Sequence, residues 1–275
     1  MRTTADISIM GCGWLGLPLA ERMVQSGYRV NGSTTTPAKV QVLEEKQIAP
    51  FLLNLDEEPL PQDALASFLN TKVLVINIPP RIRAGQGDQL LPKLHVLRRA
   101  MLQSPVSRVL FISSTAVYPD LNRIVTEEDI LHTETQEPEN VLLQAEKLFQ
   151  DREDWVTTIV RFGGLVGGSR QPGRFMAGKE NLPDGDAPVN LIHQEDCVAV
   201  LHRIVAQDKW GAVYNACADE HPSRQDFYTA AALAIGAIPP TFQAMQKTKF
   251  KRINSEKLKK DLAYHFLHPD PMQFF

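Results

Sequence analysis

Cysteine is scarce in this chain: Cys12, Cys197 and Cys217 are the only three in 275 residues, and they lie far apart. That excludes a disulfide-dense scaffold and the paired spacings of cysteine zinc sites and redox pairs. An excess of one charge is also missing. Lys and Arg number 29 against 32 Asp and Glu, a net charge of −3, and the two signs are mixed along the chain. No one-sided basic face for nucleic acid is expected. Nor is there a long hydrophobic run. The first apolar stretch is broken by glycines and Pro18, and only Arg2 precedes polar Thr3 and Thr4, a pattern of neither a signal peptide nor a membrane span. The expected setting is cytoplasmic, with neither membrane nor nucleic acid as partner. Internal repeats and low-complexity tracts are absent too.

What is present is alternation. The chain is 43% hydrophobic, enough for one large domain or a core domain with a smaller lobe. Short apolar runs that read as buried strands occur at 7–10, 28–32, 51–53, 73–78, 109–112 and 157–160. Helical segments around 36–46, 90–103 and 141–151 separate them. Strands alternating with helices predict an α/β protein with a doubly wound, mostly parallel sheet covered on both faces. A Pro/Gly-rich stretch from Gly163 to Pro188 changes the texture. Beyond it, 195–206 and 223–236 read as helices and 211–216 as a strand. The expected division is a core domain over 1–165 and a smaller substrate lobe over 166–275.

The first strand runs into Gly11-Cys12-Gly13-Trp14-Leu15-Gly16, followed by Leu17, Leu19, Ala20, Met23 and Val24 at helical spacings and then by Gly27. A glycine triplet between a strand and a helix is the pyrophosphate turn of a Rossmann-type dinucleotide site. Gly11 permits the tight turn, Gly13 lets backbone approach the pyrophosphate and Gly16 lets the helix pack closely. Trp14 and Leu15 ride in the same turn and count among the cofactor contacts. An NAD site would place Asp or Glu at the end of the second strand. Here stand Ser33, Thr34, Thr35 and Thr36, with Lys39 behind them, groups that can receive a 2′-phosphate. NADP is therefore preferred over NAD, although the same residues can also cap the next helix. Asn77-Ile78-Pro79-Pro80 leaves the fourth strand on the carboxyl edge, so backbone contacts at Ile78, Pro79 and Pro80 are expected.

Phe111-Ile112-Ser113-Ser114-Thr115-Ala116-Val117-Tyr118 puts small hydroxyls at a strand end, with a tyrosine after them. This segment resembles the Ser-Ser-x-x-Val-Tyr signature of the extended short-chain dehydrogenases/reductases, the nucleotide-sugar epimerase and dehydratase group. The glycine turn, Thr126-Glu127-Glu128, Ile159 to Gly167 and His193-Gln194-Glu195-Asp196 carry the resemblance over nearly the whole chain. It implies that the Ser114 hydroxyl orients the substrate oxygen that is oxidised or reduced. It adds Ser113, Arg161 and Gly163 to the cofactor contacts and Thr115 to the substrate contacts, and it implies a dimer through helices flanking the sheet.

The family's Tyr-x-x-x-Lys pair, in which the lysine lowers the tyrosine pKa, is not here: Pro138 and Leu142 occupy its positions. The chain is thus similar to the atypical members of the group. Tyr118, Glu139 and His132 are the replacement acid/base candidates. Glu146 and Lys147 are expected as solvated helix charges. Arg174 and Lys179 on a glycine-rich loop can hold a substrate phosphate or carboxylate, and His193 can reach the substrate. No metal site is expected, because His193, Glu195, Asp196 and Cys197 are too closely spaced to converge on one point. The expected function is an NAD(P)-dependent oxidoreductase on a small polar substrate, sugar-like or phosphorylated. The alternative is a non-catalytic NADP(H)-binding sensor or scaffold.

Overall fold

The computed structural model describes residues 4–56, 61–79, 87–130, 140–150, 153–244 and 249–275. Along the chain run β1 Ala5–Met10, α1 Gly16–Gln25, β2 Val30–Thr34, α2 Lys39–Glu45, β3 Ala49–Leu52, α3 Gln62–Phe68, β4 Thr71–Ile76, α4 Leu90–Met101, β5 Arg108–Ser114 and β6 Arg123–Val125. They are followed by α5 Val141–Phe149, β7 Val156–Phe162, β8 Gly164–Val166, α6 Gly173–Met176, β9 Leu191–His193, α7 Gln194–Ala206, β10 Val213–Ala216, α8 Arg224–Ala234, β11 Lys251–Ile253 and α9 Glu256–Leu262.

Seven strands form one sheet in the order β10-β7-β5-β4-β1-β2-β3. β1 pairs in parallel with β2 and β4, β2 with β3, and β4 with β5. The expected α/β, mostly parallel, doubly wound fold is present. Burial explains it. Ile7, Ile9 and Met10 of β1 are buried, and so is Ser8 between them, as a strand covered on both faces requires. Ser8 is tolerated there because its hydroxyl donates to the Phe68 carbonyl at 2.6 Å and accepts from Asn31 Nδ2 at 3.1 Å. α1 lays Leu19, Ala20 and Met23 inward, and α4 does the same with Leu94, Leu97 and Met101.

The strand order grows in one direction from β1 to β3 and in the other from β4 to β5. The switch point therefore falls between β1 and β4, where open α/β sheets form a ligand crevice at the carboxyl ends of their strands.

By its contacts the chain divides into two compact units, Met1–Ser113 with His132–Val160 and Leu201–Val213, and Ser114–Leu131 with Arg161–Val200 and Tyr214–Phe275. The first holds the switch point. The second has a core of Val166, Val189, Leu191, Ala218, Phe227 and Phe274, and two small parallel pairs, β8 with β9 and β6 with β11. The short strands β6, β8, β9 and β11, and the helices α3 and α9, were not expected from sequence. A strand of three residues is too short to display a period. Among the described residues, no helix is long and apolar enough to cross a membrane. All three cysteines are buried and free.

Two half-buried histidines set a pH dependence. In the first unit the His202 ring lies 2.8 Å from Ser26 Oγ, and in the second His221 Nδ1 donates to the Val189 carbonyl at 2.9 Å. Burial, first among the causes, holds both below the usual histidine value of 6.5. Both are neutral in the fold and protonate more readily when it opens. Their contribution to stability is complete above that value and is lost as pH falls through the lower folded one. The urea midpoint is expected to drop between about pH 7 and pH 5, and His221→Gln to make the drop shallower by up to about one proton. An unchanged slope would show that His221 charges freely in the fold.

Candidate active site

The glycine turn is held from two sides, within the first unit. Gly11 has φ +100°, and a Cβ on it would fall 2.5 Å from the Asn77 carbonyl oxygen, so only glycine fits. Asn77 Nδ2 donates to the Gly11 carbonyl at 2.8 Å, while the Gly11 N–H donates to Ser33 Oγ at 2.9 Å. The Cys12 N–H donates to the Ser33 carbonyl at 2.8 Å. A Cβ on Gly16 would stand 2.1 Å from the Gly11 carbonyl oxygen. At Gly13, by contrast, it would meet nothing within 4 Å. α1 starts at Gly16 with Leu15 as its N-cap, no side-chain cap and no acidic residue in its first turn. The Leu17 N–H donates to the Gly13 carbonyl at 3.1 Å, the Leu19 N–H to the Leu15 carbonyl at 3.2 Å and Pro18 has none, so it is the positive end of the helix dipole that is left for an anion. Leu15 is buried and Trp14 half-buried beside it. Burial pushes the Cys12 thiol up to about 12, so the cysteine in this turn is a packing residue and not a nucleophile.

The sequence marks Asn77 as the start of the exit from β4, and the fold gives its side chain the role of clamp on the glycine turn. Asn77→Ala is expected to cost about 1 kcal/mol in denaturant unfolding, the net worth of its hydrogen bond, and to loosen the turn. Unchanged stability would mean that the Gly11 carbonyl finds another donor. After Asn77, Ile78 is half-buried and Pro79 exposed, and Pro80 lies outside the described residues.

The hydroxyl row at the end of β2 divides by burial. β2 extends to Thr34, further than the sequence suggested, so Ser33 and Thr34 are strand residues and buried. Ser33 Oγ is spent on the Gly11 N–H and Thr34 Oγ1 accepts from the Thr36 N–H at 3.1 Å. Neither side chain is open to a 2′-phosphate as the sequence suggested. Thr35 and Lys39 are exposed.

Two further expectations are corrected by burial. Glu146, expected as a solvated charge, is fully buried on α5 and accepts a hydrogen bond from Ser113 Oγ. Ser113 turns its hydroxyl to that carboxylate and not to a cofactor, while Lys147 is exposed as expected. Arg161, expected as a cofactor contact, has 0% exposure. Its guanidinium donates to the Tyr118 hydroxyl at 2.7 Å and lies 5.1 Å from that ring's centroid. Sealed in the second unit, it cannot touch a bound molecule.

Tyr118 in turn donates to Asn215 Oδ1 at 2.8 Å, and the Asn215 N–H donates to the buried Glu127 carboxylate at 2.6 Å. Burial raises the pKa of Tyr118 despite the opposing Arg161, and it raises that of Glu127. With its hydroxyl engaged in both directions and its pKa raised, Tyr118 is a poor general base. Glu139, His132 and Pro138 lie outside the described residues. Leu142, at the family's lysine position, is buried in the first turn of α5.

Ser114 closes β5 half-buried and caps the 3-10 turn Thr115–Val117 by accepting from the Ala116 N–H at 3.2 Å. Its own proton remains a donor. Thr115 is buried in that turn. In the second unit, Gly163 admits close approach: a Cβ there would sit 2.8 Å from the Asn190 carbonyl oxygen. Arg174 lies on α6 and Lys179 just beyond it, both exposed. His193 ends β9, half-buried.

A glycine turn at the switch point of a mostly parallel sheet is the arrangement of a Rossmann-type α/β fold. No family model matches the chain. It is 34% identical over 276 aligned positions, 97% of each chain, to protein YeeZ of Escherichia coli K12. The chain therefore belongs to the same family as YeeZ. Among solved structures it resembles the UDP-glucuronic acid 4-epimerase of Bacillus cereus, in complex with UDP-glucuronic acid and NAD, at TM-score 0.76 and 18% identity, covering 98% of this chain and 96% of that one. It also resembles the dTDP-glucose 4,6-dehydratase of Streptomyces venezuelae at TM-score 0.75 and 13% identity, covering 95% and 92%.

Proposed function

We propose that this protein is an NAD(P)-dependent oxidoreductase of the nucleotide-sugar epimerase/dehydratase type, preferring NADP(H). The observation that carries the reading is the contrast within the glycine turn. Gly11 and Gly16 are closed against Asn77 and against each other, while the space over Gly13 is open at an uncapped helix N-terminus. That is the shape and charge a pyrophosphate needs. Thr35 and Lys39 are the exposed groups for a 2′-phosphate, and no carboxylate stands at the end of β2 to repel it. Ile78 and Pro79 supply the wall after β4.

When bound, the nicotinamide supplies the site that accepts or returns a hydride. The rest is done by the chain. Ser114 donates its hydroxyl proton to the substrate oxygen and so orients the reacting carbon, with its own oxygen steadied by the Ala116 N–H. Arg174 and Lys179 are the proposed holders of a substrate phosphate or carboxylate. A sugar-like, phosphorylated substrate is supported by relatives of the same fold that were solved with nucleotide sugars and NAD.

A second reading, a non-catalytic NADP(H) sensor or scaffold, is favoured by one observation: the buried Leu142 and the committed Tyr118 leave the family's proton-transfer positions without a free acid or base among the described residues. Fluorescence titration with NADPH and NADH tests the cofactor, with tighter binding of NADPH expected. Incubation with a panel of UDP- and dTDP-sugars then separates the readings. Turnover that Ser114→Ala reduces supports the enzyme, and tight NADPH binding with no turnover on any of them supports the sensor. Failure to bind either dinucleotide overturns both.

A further inference from the structure

His193 and Glu195 flank the junction where β9 passes into α7, in the second unit. β9 is held by its pairing with β8, with Val166 opposite His193. Gly167, at φ +103°, makes room for the imidazole: a Cβ there would fall 2.5 Å from His193 Nε2. A third residue reaches the same place from far along the chain. Asp196, fully buried, accepts from the Tyr264 hydroxyl at 2.6 Å, the Leu267 N–H at 2.7 Å and the His268 N–H at 3.0 Å. The backbone of His268 is thereby tied to the first turn of α7. His268 Nε2 then lies 2.8 Å from Glu195 Oε2, and the two imidazole rings stand 4.0 Å apart between centroids. One donor atom from each of His193, Glu195 and His268 falls within 4.8 Å of the other two.

We propose that His193, Glu195 and His268 form a binding site for a divalent transition-metal ion of the zinc class. Two imidazoles and one carboxylate are a donor set that suits Zn²⁺ and its late-transition neighbours rather than Ca²⁺ or Mg²⁺, which take oxygen ligands. Three protein ligands leave a fourth position for water or a small anion. There is space beside it: His193 also lines a cavity of about 260 Å³ together with Gly167, Arg170, Pro172 and Phe274. Phe274 packs near both rings, with centroids 5.6 and 6.2 Å away, and limits their rotation. The hydrogen bonds of Asp196 go to the Tyr264 hydroxyl and to the Leu267 and His268 N–H groups, and not to the ion. They hold the ligands at a fixed separation before metal arrives, as a supporting shell does.

The test uses the full chain. Calorimetric titration with ZnCl₂ is expected to give saturable uptake of one ion, and titration with CoCl₂ a visible absorption band of low-coordinate Co²⁺. Outer-shell partners alone are worth about 10–100-fold in affinity, so His268→Ala and Glu195→Gln are each expected to weaken Zn²⁺ binding by roughly 100-fold or more. The Glu195 side chain is 66% exposed, so Glu195→Gln will fold even if His268→Ala does not. His202→Ala, about two turns further along α7, controls for a histidine outside the cluster. Absence of saturable one-to-one uptake by the unaltered protein, or unchanged Zn²⁺ affinity in folded Glu195→Gln, would overturn the proposal.

Discussion

Gly13→Val is expected to leave the fold intact and to weaken NADPH binding by roughly 100-fold or more, about 2.7 kcal/mol. Gly16→Ala is expected to damage the fold itself. The two glycines stand three residues apart in one turn, but a Cβ on Gly13 meets nothing within 4 Å whereas one on Gly16 lies 2.1 Å from a backbone oxygen. A flexible side chain could move aside at Gly16; the Gly11 carbonyl cannot without breaking its hydrogen bond from Asn77. Overpacking of this kind costs about 1–3 kcal/mol or more, a large share of the stability of an ordinary domain. Thermal melts and NADPH titration of both variants separate the effects. If Gly13→Val binds NADPH as the parent does, the pyrophosphate is not over Gly13. If Gly16→Ala melts like the parent, α1 can shift away from β1, and the close approach is not what requires glycine.

The second large effect is expected at Arg161. Its guanidinium is fully buried, donates to Tyr118 and faces the buried Glu127 electrostatically. Arg161→Met keeps the length and removes the charge. The buried carboxylate loses a compensating cation and the tyrosine loses a donor, so a loss of about 3–5 kcal/mol in urea unfolding is expected. Arg161→Lys is expected to rescue little, because a point charge does not reproduce the planar fork. NADPH affinity, measured on the folded fraction at low temperature, is expected to be unchanged. A folded Arg161→Met protein that binds NADPH much more weakly would return Arg161 to the cofactor contacts, and parental stability would show that the network contributes nothing.

The readings that survived rest on local features. A strand ending in glycine, a helix starting three residues after the second glycine and a terminal Gly27 are all within one stretch of chain, and each has a conformational reason at its own position. The alternation of elements set the fold class in the same way, since hydrophobic periods of two and 3.6 are properties of short windows. The readings that changed concern polar side chains. Ser33, Ser113, Glu146, Arg161 and Tyr118 all look like surface or ligand chemistry when read as letters. In the fold Ser33 is a clamp on the glycine turn, Ser113 and Glu146 satisfy each other, and Arg161 and Tyr118 belong to one buried network.

The partners explain why. Tyr118 and Asn215 are 97 residues apart, and Glu127 and Asn215 are 88 apart. His268 reaches Glu195 across 73 residues, which is why the closely spaced His193, Glu195 and Asp196 did not suggest a metal site. By itself the sequence determined where the backbone can turn, which faces are apolar, and hence a doubly wound sheet with a glycine turn at its first strand. Only the tertiary structure decided which polar groups remain open to a ligand. Burial and long-range hydrogen bonding assign a polar side chain either to the fold or to a bound molecule, and neither is a property of the residue or of its neighbours in the chain.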